Sequence, residues 1–458
     1  MSNRNDAPNG SWREAGDAVL AALLSRVGEA APRPRLAPTR RAVDLLGDPQ
    51  STYPVIHIAG TNGKTSTSRI AESILRAYGL RTGLLTSPHL VRLNERITID
   101  GEPITDEALA ANWEDIQPYL QMVDTELLAV GDDPLTFFEA LTVLAFACFA
   151  DAPVDVAVIE VGMGGEWDST NVAYGQVAVF TPIALDHTMR LGGTIAEIAR
   201  TKSGIIKPSA AVVTAKQIDE GQAELERAVE ITESTLASEG EEFALLSSHV
   251  AVGGQLISVR GLAGTYNDLF LPMYGTHQAH NAALAIAAVE SFLGSGTQAL
   301  VHDLVAEGLA TASSPGRLQL VGVEPTVLVD AAHNPHGAAA LAAALDEYFD
   351  FDEIVAVVGI LADKDARGIV DTLRSQVTRF HVTRSHSERS VPVDDLADKV
   401  AEWEGDDVTF RFDDLTAALE RAREWAQEAP RRAVIVTGSI TLVGEAIALA
   451  DAREWMAP

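Results

Sequence analysis

Apolar positions along this chain fall into two alternating kinds of segment. Short continuous runs bounded by turn residues, Tyr53 to Ala59, Val154 to Val161, Val177 to Ile183 and Ala211 to Ala215, have the length of buried strands. Between them apolar residues recur at helical spacing. In Thr65 to Tyr78, Ile70, Ile74 and Leu75 share one face with Ala71 and Tyr78. An earlier helical stretch is expected around Ala15 to Ala30, followed by a Pro/Arg-rich linker from Ala31 to Thr39. Such alternation predicts a parallel sheet with crossover helices. The Ser-Pro-Gly-Arg segment Ser314 to Arg317 reads as a breakpoint, because a second strict alternation begins after it. Its strands are expected near Thr326 to Val329, Ile354 to Val358, Arg379 to Thr383, Val408 to Phe412 and Ala433 to Thr437. Two α/β domains follow, residues 1–312 and 313–458, with the cleft between them as the default ligand site.

The length of 458 residues agrees with more than one core, at roughly 100 to 200 residues per domain. Charge is lopsided: 34 Lys and Arg against 65 Asp and Glu give −31. A duplex nucleic-acid partner and an anionic membrane surface are both disfavoured by that sign. Any polyanionic substrate must therefore be held by a local cluster of cations, metal ions and backbone N–H groups. The single cysteine, Cys148, lies in the apolar run Ala140 to Ala150, which excludes a disulfide framework or a thiolate metal site. With the polar stretch Met1 to Trp12 and no apolar run of bilayer length, this points to a cytoplasmic protein. Nothing in the sequence demands more than a monomer.

The segment Gly60-Thr61-Asn62-Gly63-Lys64-Thr65 sits between a predicted strand and a predicted helix, where backbone N–H groups and the helix dipole cradle phosphate. Lys64 would neutralise the β/γ-phosphates and Thr65 would reach Mg²⁺. Only two residues separate Gly60 from Gly63, a shorter spacing than the usual phosphate loop. Downstream, the apolar strand ending in Glu160 places one carboxylate where a nucleotide-hydrolysing fold holds its metal. A Gly-dense stretch, Gly162 to Gly165, follows, and simple packing gives no reason for it. Asp186-His187-Thr188 and Lys202-Ser203-Gly204 come next.

These motifs together resemble the folylpolyglutamate synthase family of the Mur-ligase superfamily, which includes bifunctional dihydrofolate synthases. The resemblance also runs through Thr86-Ser87-Pro88-His89-Leu90, His277-Gln278 with Asn281, Pro315-Gly316-Arg317 and Asp330 to Pro335. It implies an N-terminal P-loop-type ATPase domain with a parallel sheet and a smaller, Rossmann-like C-terminal domain. It further implies an ATP-driven amide ligation that adds L-glutamate to folate or dihydropteroate through an acyl phosphate. Ser87 and Glu160 would hold one Mg²⁺ ion; Glu160, His187 and Lys202 would hold a second. As an ammonium, Lys202 cannot ligate a cation, and in the family it carries a CO₂-derived carbamate. Asn281, Arg317 and Asp330 match nucleotide-contacting positions, Thr136 and Asp168 match pterin-contacting ones, and His333 matches one implicated in glutamate addition.

Glu166 and Thr201 depart from the family pattern, where Arg and Glu are usual, and Glu166 would put a negative charge beside the folate pocket. Asp363-Lys364-Asp365 fits either a cleft segment or a surface charge cluster. Thr437-Gly438-Ser439 fits either a helix-capping turn or part of the cleft wall, and capping is the favoured reading. Met122, the Ala-rich helix from Asn281 to Val289 and the Trp residues read as ordinary packing. Two other readings stand beside this one. A Mur-type cell-wall ligase would need a nucleotide-sugar domain in the roughly 50 residues ahead of the loop, few for a domain. A silent nucleotide-binding scaffold would have no reason to keep Lys64, Glu160, His187 and Lys202 together.

Overall fold

The computed structural model describes residues 9–28 and 33–455. An eight-stranded sheet carries the N-terminal half, in the order β4-β3-β2-β5-β1-β6-β7-β8. Its strands are β1 (Val55–Ala59), β2 (Thr82–Leu85), β3 (Ile97–Ile99), β4 (Glu102–Pro103), β5 (Val156–Glu160), β6 (Gly175–Phe180), β7 (Ala211–Thr214) and β8 (Thr235–Ser238). Every pair along the sheet from β2 to β8 is parallel; only β3 and β4 run antiparallel at one edge. Every residue of β1, β2 and β5 is buried, as a sheet covered on both faces requires. One face packs Ile56, Ile58 and Val158 against Ile70 and Ile74 of the helix Lys64–Ala77 and the Ala-rich helix Thr276–Gly294. The other packs Val55, Ala157 and Ile159 against Leu141, Val143 and Phe146 of the helix Phe137–Asp151.

The alternation of strand and helix breaks between Ala244 and Leu271. There β9 (Ala244–Ala251), β10 (Gly254–Arg260) and β11 (Thr265–Leu271) form an antiparallel sheet, ordered β11-β10-β9. Its strands mix polar and apolar residues too irregularly to announce themselves. Ile257, Val259, Tyr266 and Leu269 nonetheless join the core beneath the Ala-rich helix.

After Ser314 the chain builds β12 (Gln319–Gly322), β13 (Thr326–Val329), β14 (Glu353–Val358), β15 (Arg379–Val382), β16 (Thr409–Arg411) and β17 (Arg432–Thr437). They pair as β12-β13-β17-β14-β15-β16, parallel except for β12. All five strands expected in this half are present, within a residue or two at each end.

Several expectations need correction. The first helix is Asn9–Leu24, so it stops short of Ala30; residues 29–32, where the predicted helix would end and the linker begin, lie outside the described part, as do residues 1–8 of the polar N-terminal stretch. Pro38 and Thr39 belong to a helix, Ala37–Leu45, because proline suits the first helical turn. Met122 is half-exposed and does not pack in the core. The glycines from Gly162 to Gly165 do serve packing. A Cβ at Gly165 would stand 2.5 Å from Lys202 O, so glycine lets this loop lie directly on the helix Ile195–Ser203.

Candidate active site

β1 and β5 are neighbours, and both end at the mouth of a cleft of about 1370 Å³ between the two domains. The phosphate loop leaves β1 at Ala59 and enters the helix that starts at Lys64. Gly63 has φ +89°, and a Cβ there would meet Asn281 Oδ1 at 2.5 Å, so any side chain here is strained and glycine is favoured. Asn281 is in turn held by Gln278 Oε1 at 3.1 Å. Lys64 Nζ donates to Gly60 O and Thr61 O, both at 3.2 Å, which folds the ammonium over the loop.

Glu160, at the end of β5, accepts from Thr65 Oγ1 at 2.9 and 3.0 Å and from the Ser87 backbone N–H at 3.3 Å. Burial raises its pKa, against the opposing pull of Lys64, Thr65, Ser87 and Arg317. Burial likewise lowers that of Lys64, with Glu160 resisting. A hydroxyl, a carboxylate and a serine loop converge at this point, an oxygen donor set suited to Mg²⁺. Among the described residues, no group of three or more His, Cys, Asp and Glu could hold a metal ion. Mg²⁺ usually completes its shell with phosphate oxygens and water, so these few protein oxygens would suffice to hold it.

Lys202, 4% exposed, donates to Gly60 O at 2.7 Å. Burial first and the Lys64 charge second push its pKa down to about 7. His187 begins a short helix with φ 50°, and its pKa is pushed down to about 4, chiefly by burial.

The C-terminal domain closes the cleft. Asp330, just past β13, accepts from Leu318 N and Ala332 N, both at 2.8 Å, and burial raises its pKa against the pull of Arg317. Arg317 lines the cleft. His333 Nδ1 lies 2.9 Å from Ala331 O; because a carbonyl only accepts, that nitrogen carries the proton and Nε2 faces Asp186 at 3.8 Å. Asn334 caps the helix Pro335–Tyr348 through Oδ1 and donates to Asn62 Oδ1 at 3.2 Å; His336 Nδ1 lies 3.0 Å from Asn62 Nδ2. The phosphate loop is thereby touched from both domains.

Lys364, which spacing alone leaves between surface and cleft, lies in the cleft, with Nζ 2.8 Å from Asp186 Oδ1. Its neighbours Asp363 and Asp365 serve structure, pairing with Arg389 and capping the helix Ala366–Leu373. Burial works to raise the Asp186 pKa, but His333, His187 and Lys364 outweigh it and hold the group well below the carboxylate range. Ser439 caps the helix Ile440–Ala452, as expected, and also lines the cleft. Lys64, Arg317, Lys364 and Arg389 make the local positive cluster that an acidic protein needs for an anionic substrate.

The cleft also has an apolar lining, formed by Phe138, Met163, Trp167, Leu191 and Ile195. Thr136 and Asp168 stand in its wall. Thr136 caps the helix Phe137–Asp151 through Glu139 N, and Asp168 Oδ2 accepts from Met163 N at 2.8 Å. Glu166 is exposed and does not line the cleft, because its backbone N–H is tied to Thr201 O at 2.8 Å. Trp167 is not mere packing, and Phe138 and Arg389 carry no local sequence signal that would have singled them out.

A nucleotide loop on a parallel sheet, roofed by a second α/β domain, defines an ATP-dependent ligase of the Mur type. Family models agree: residues 58–289 match the Mur ligase middle domain and residues 316–440 the Mur ligase, glutamate ligase domain. More narrowly, the chain belongs to the folylpolyglutamate synthase family. It is 43% identical over 434 residues to the dihydrofolate synthase/folylpolyglutamate synthase of Mycobacterium tuberculosis, covering 90% of this chain and 89% of that one. With the folylpolyglutamate synthase of Lacticaseibacillus casei it shares 36% over 416 residues, 89% and 94% of the two chains. The solved M. tuberculosis folylpolyglutamate synthase complexed with ADP matches with a TM-score of 0.92 at 42% identity, over 96% of this chain and 99% of that one. Escherichia coli FolC in complex with DHPP and ADP matches with a TM-score of 0.82 at 29% identity, over 99% and 100%. Among the described residues no helix is long and apolar enough to cross a membrane.

Proposed function

We propose that this enzyme adds L-glutamate to tetrahydrofolate and to dihydropteroate in the cytoplasm, as a monomer, with ATP as the energy source. The observation that carries the reading is one continuous cleft lined both by the phosphate loop with Lys64 and by the apolar side chains of Phe138 and Trp167. A flat heterocycle suits the apolar side chains, and its carboxylate tail then reaches the phosphate loop. The names of the relatives, and the ligands ADP and DHPP in their structures, favour the same assignment. The domain boundary belongs near Ser314 to Arg317, between the helix that ends at Thr311 and β12.

In this scheme the acceptor carboxylate attacks the γ-phosphorus, giving an acyl phosphate and ADP. The amine of glutamate then attacks the acyl carbon, phosphate leaves, and the amine proton is lost. Lys64 and Arg317 stabilise charge on the transferred phosphoryl group, work that consists of positioning and electrostatics. Asn281 and Asp330 fix the nucleotide between the domains, while Gly60, Thr61, Asn62, Gly63 and Thr65 wrap its phosphates. His333, in the cleft beside Asp186, is set to take the proton from the glutamate amine. Two Mg²⁺ ions would be held by Thr65, Ser87 and Glu160 and by Glu160, His187 and Lys202, and would neutralise phosphate charge. The depressed pKa of Lys202 supports a carbamate there, since only the neutral amine adds CO₂, and the product keeps one N–H for Gly60 O.

The test is ADP release by purified protein with Mg²⁺, bicarbonate, ATP and glutamate, run with dihydropteroate, with tetrahydrofolate and without acceptor. Release with both acceptors is expected. Release with tetrahydrofolate alone would restrict the enzyme to tail extension, and silence with both would refute the assignment.

A further inference from the structure

β1 is apolar at Val55, Ile56, Ile58 and Ala59, and polar once, at His57. An ionisable ring at 0% exposure in the middle of a central strand is costly unless something needs it. Nδ1 of His57 has no hydrogen-bond partner, which adds to the cost. Room for the ring is provided across the sheet by Gly175, where a Cβ would lie 2.9 Å from His57 Cβ.

The other nitrogen explains the residue. His57 Nε2 lies 2.9 Å from Thr170 Oγ1, and the Thr170 hydroxyl donates to Asp168 Oδ1. A hydroxyl has one proton, and a carboxylate can only accept. Once Thr170 gives its proton to Asp168, it must accept from His57, so the ring carries its proton on Nε2. The bare Nδ1 is the consequence. The direction of donation therefore runs one way, from the strand to the carboxylate. Burial keeps the ring neutral, with a pKa pushed down to about 3. Thr170 N, at 3.0 Å, is a second donor to the same oxygen.

Asp168 lines the cleft, whereas His57 and Thr170 are fully buried behind it. We infer that His57 is a positioning residue: acting through Thr170, it fixes which way the Asp168 carboxylate presents itself to the heterocycle of the acceptor. This rests on the reading of Asp168 as an acceptor contact. His57 also lies three positions before Gly60, so the strand that carries the phosphate loop also supports the Asp168 carboxylate. Without the histidine, the Thr170 hydroxyl is free to turn toward other acceptors, and Asp168 is left with its backbone donors, Met163 N and Thr170 N.

Steady-state kinetics with the full chain test this, using His57→Phe, His57→Gln, Thr170→Val and Asp168→Ala. For His57→Phe and Thr170→Val the expected result is a rise of about tenfold in KM for dihydropteroate or tetrahydrofolate, with KM for ATP within about twofold. His57→Gln, whose amide N–H reaches the position of Nε2, should recover most of the loss. The double variant of His57→Phe and Thr170→Val should be no worse than the worse single one. If Asp168→Ala raises the acceptor KM while folded His57→Phe and Thr170→Val do not, the positioning role is wrong and the reading of Asp168 stands. If Asp168→Ala leaves the acceptor KM unchanged, that reading falls and takes this inference with it. Equal losses toward ATP and acceptor, with no recovery in His57→Gln, would mark His57 as a merely structural residue and overturn the proposal.

Discussion

Lys364 of the C-terminal domain and Asp186 of the N-terminal domain are joined across the cleft, Nζ to Oδ1 at 2.8 Å, with the lysine side chain only 7% exposed. A charged pair with so little water around it is costly to break from one side only. It places the Asp363 to Asp365 loop over the loop that carries His187, so the two halves of the site are aligned by one carboxylate.

Removing either partner should therefore impair turnover. Lys364→Met and Asp186→Asn are each expected to lower kcat/KM by about tenfold to a hundredfold, the scale of a charge-assisted hydrogen bond. The double variant should fall no further than the worse single one. Initial rates of ADP release check both statements, and additive losses would show that the pair is not coupled.

Gly63→Ala should weaken nucleotide binding with the fold intact. The backbone at φ +89° is strained for any side chain, and the new methyl would press on Asn281 Oδ1. Strain of this kind costs about 1–3 kcal/mol, so ADP affinity should drop at least about fivefold. Calorimetric titration with ADP measures it; an unchanged Kd would mean that the loop relaxes without loss.

Lys202→Ala should abolish glutamate-dependent ADP release, and Lys202→Arg should fail to restore it, since guanidinium neither ligates Mg²⁺ nor forms the carbamate. Depleting CO₂ and bicarbonate should slow the unmodified enzyme reversibly. An active Lys202→Ala protein would remove this residue from the chemistry.

Acid should destabilise the fold through buried histidines. Burial holds His57 at about 3 and His381 at about 4, each below the ordinary 6.5. Between those values the unfolded chain binds a proton that the folded chain refuses. Stability is therefore complete above about pH 6.5 and falls as pH drops toward the folded values, by about 1.4 kcal/mol per pH unit per histidine. Urea unfolding at pH 7, 6 and 5 should show this slope. In His57→Gln it should be shallower by the contribution of one proton; an identical slope would show that His57 is not the group responsible.

Much of the site was legible because its chemistry is local. Gly60 to Thr65 and Glu160 each sit at a strand end or loop that short-range patterning locates, whereas Asp168 was singled out only through the family resemblance. The antiparallel sheet from Ala244 to Leu271 was not legible, since β9 and β11 carry too little period-two alternation to separate them from a loop. Glu166 shows the opposite failure: adjacent in sequence to the Gly-rich loop, it is turned out to solvent by the bond of its N–H to Thr201 O.

The two alternating α/β halves, the phosphate loop and the family are written in the chain itself, because hydrophobic period, turn residues and motif spacing act over a few residues at a time. Three-dimensional packing was needed to bring Lys364 to Asp186, to hold Asn62 between Asn334 and His336, and to set His57 behind Asp168. Those pairs are separated by up to 274 positions in the chain, and their meeting depends on how two sheets pack across one cleft, which no local pattern encodes.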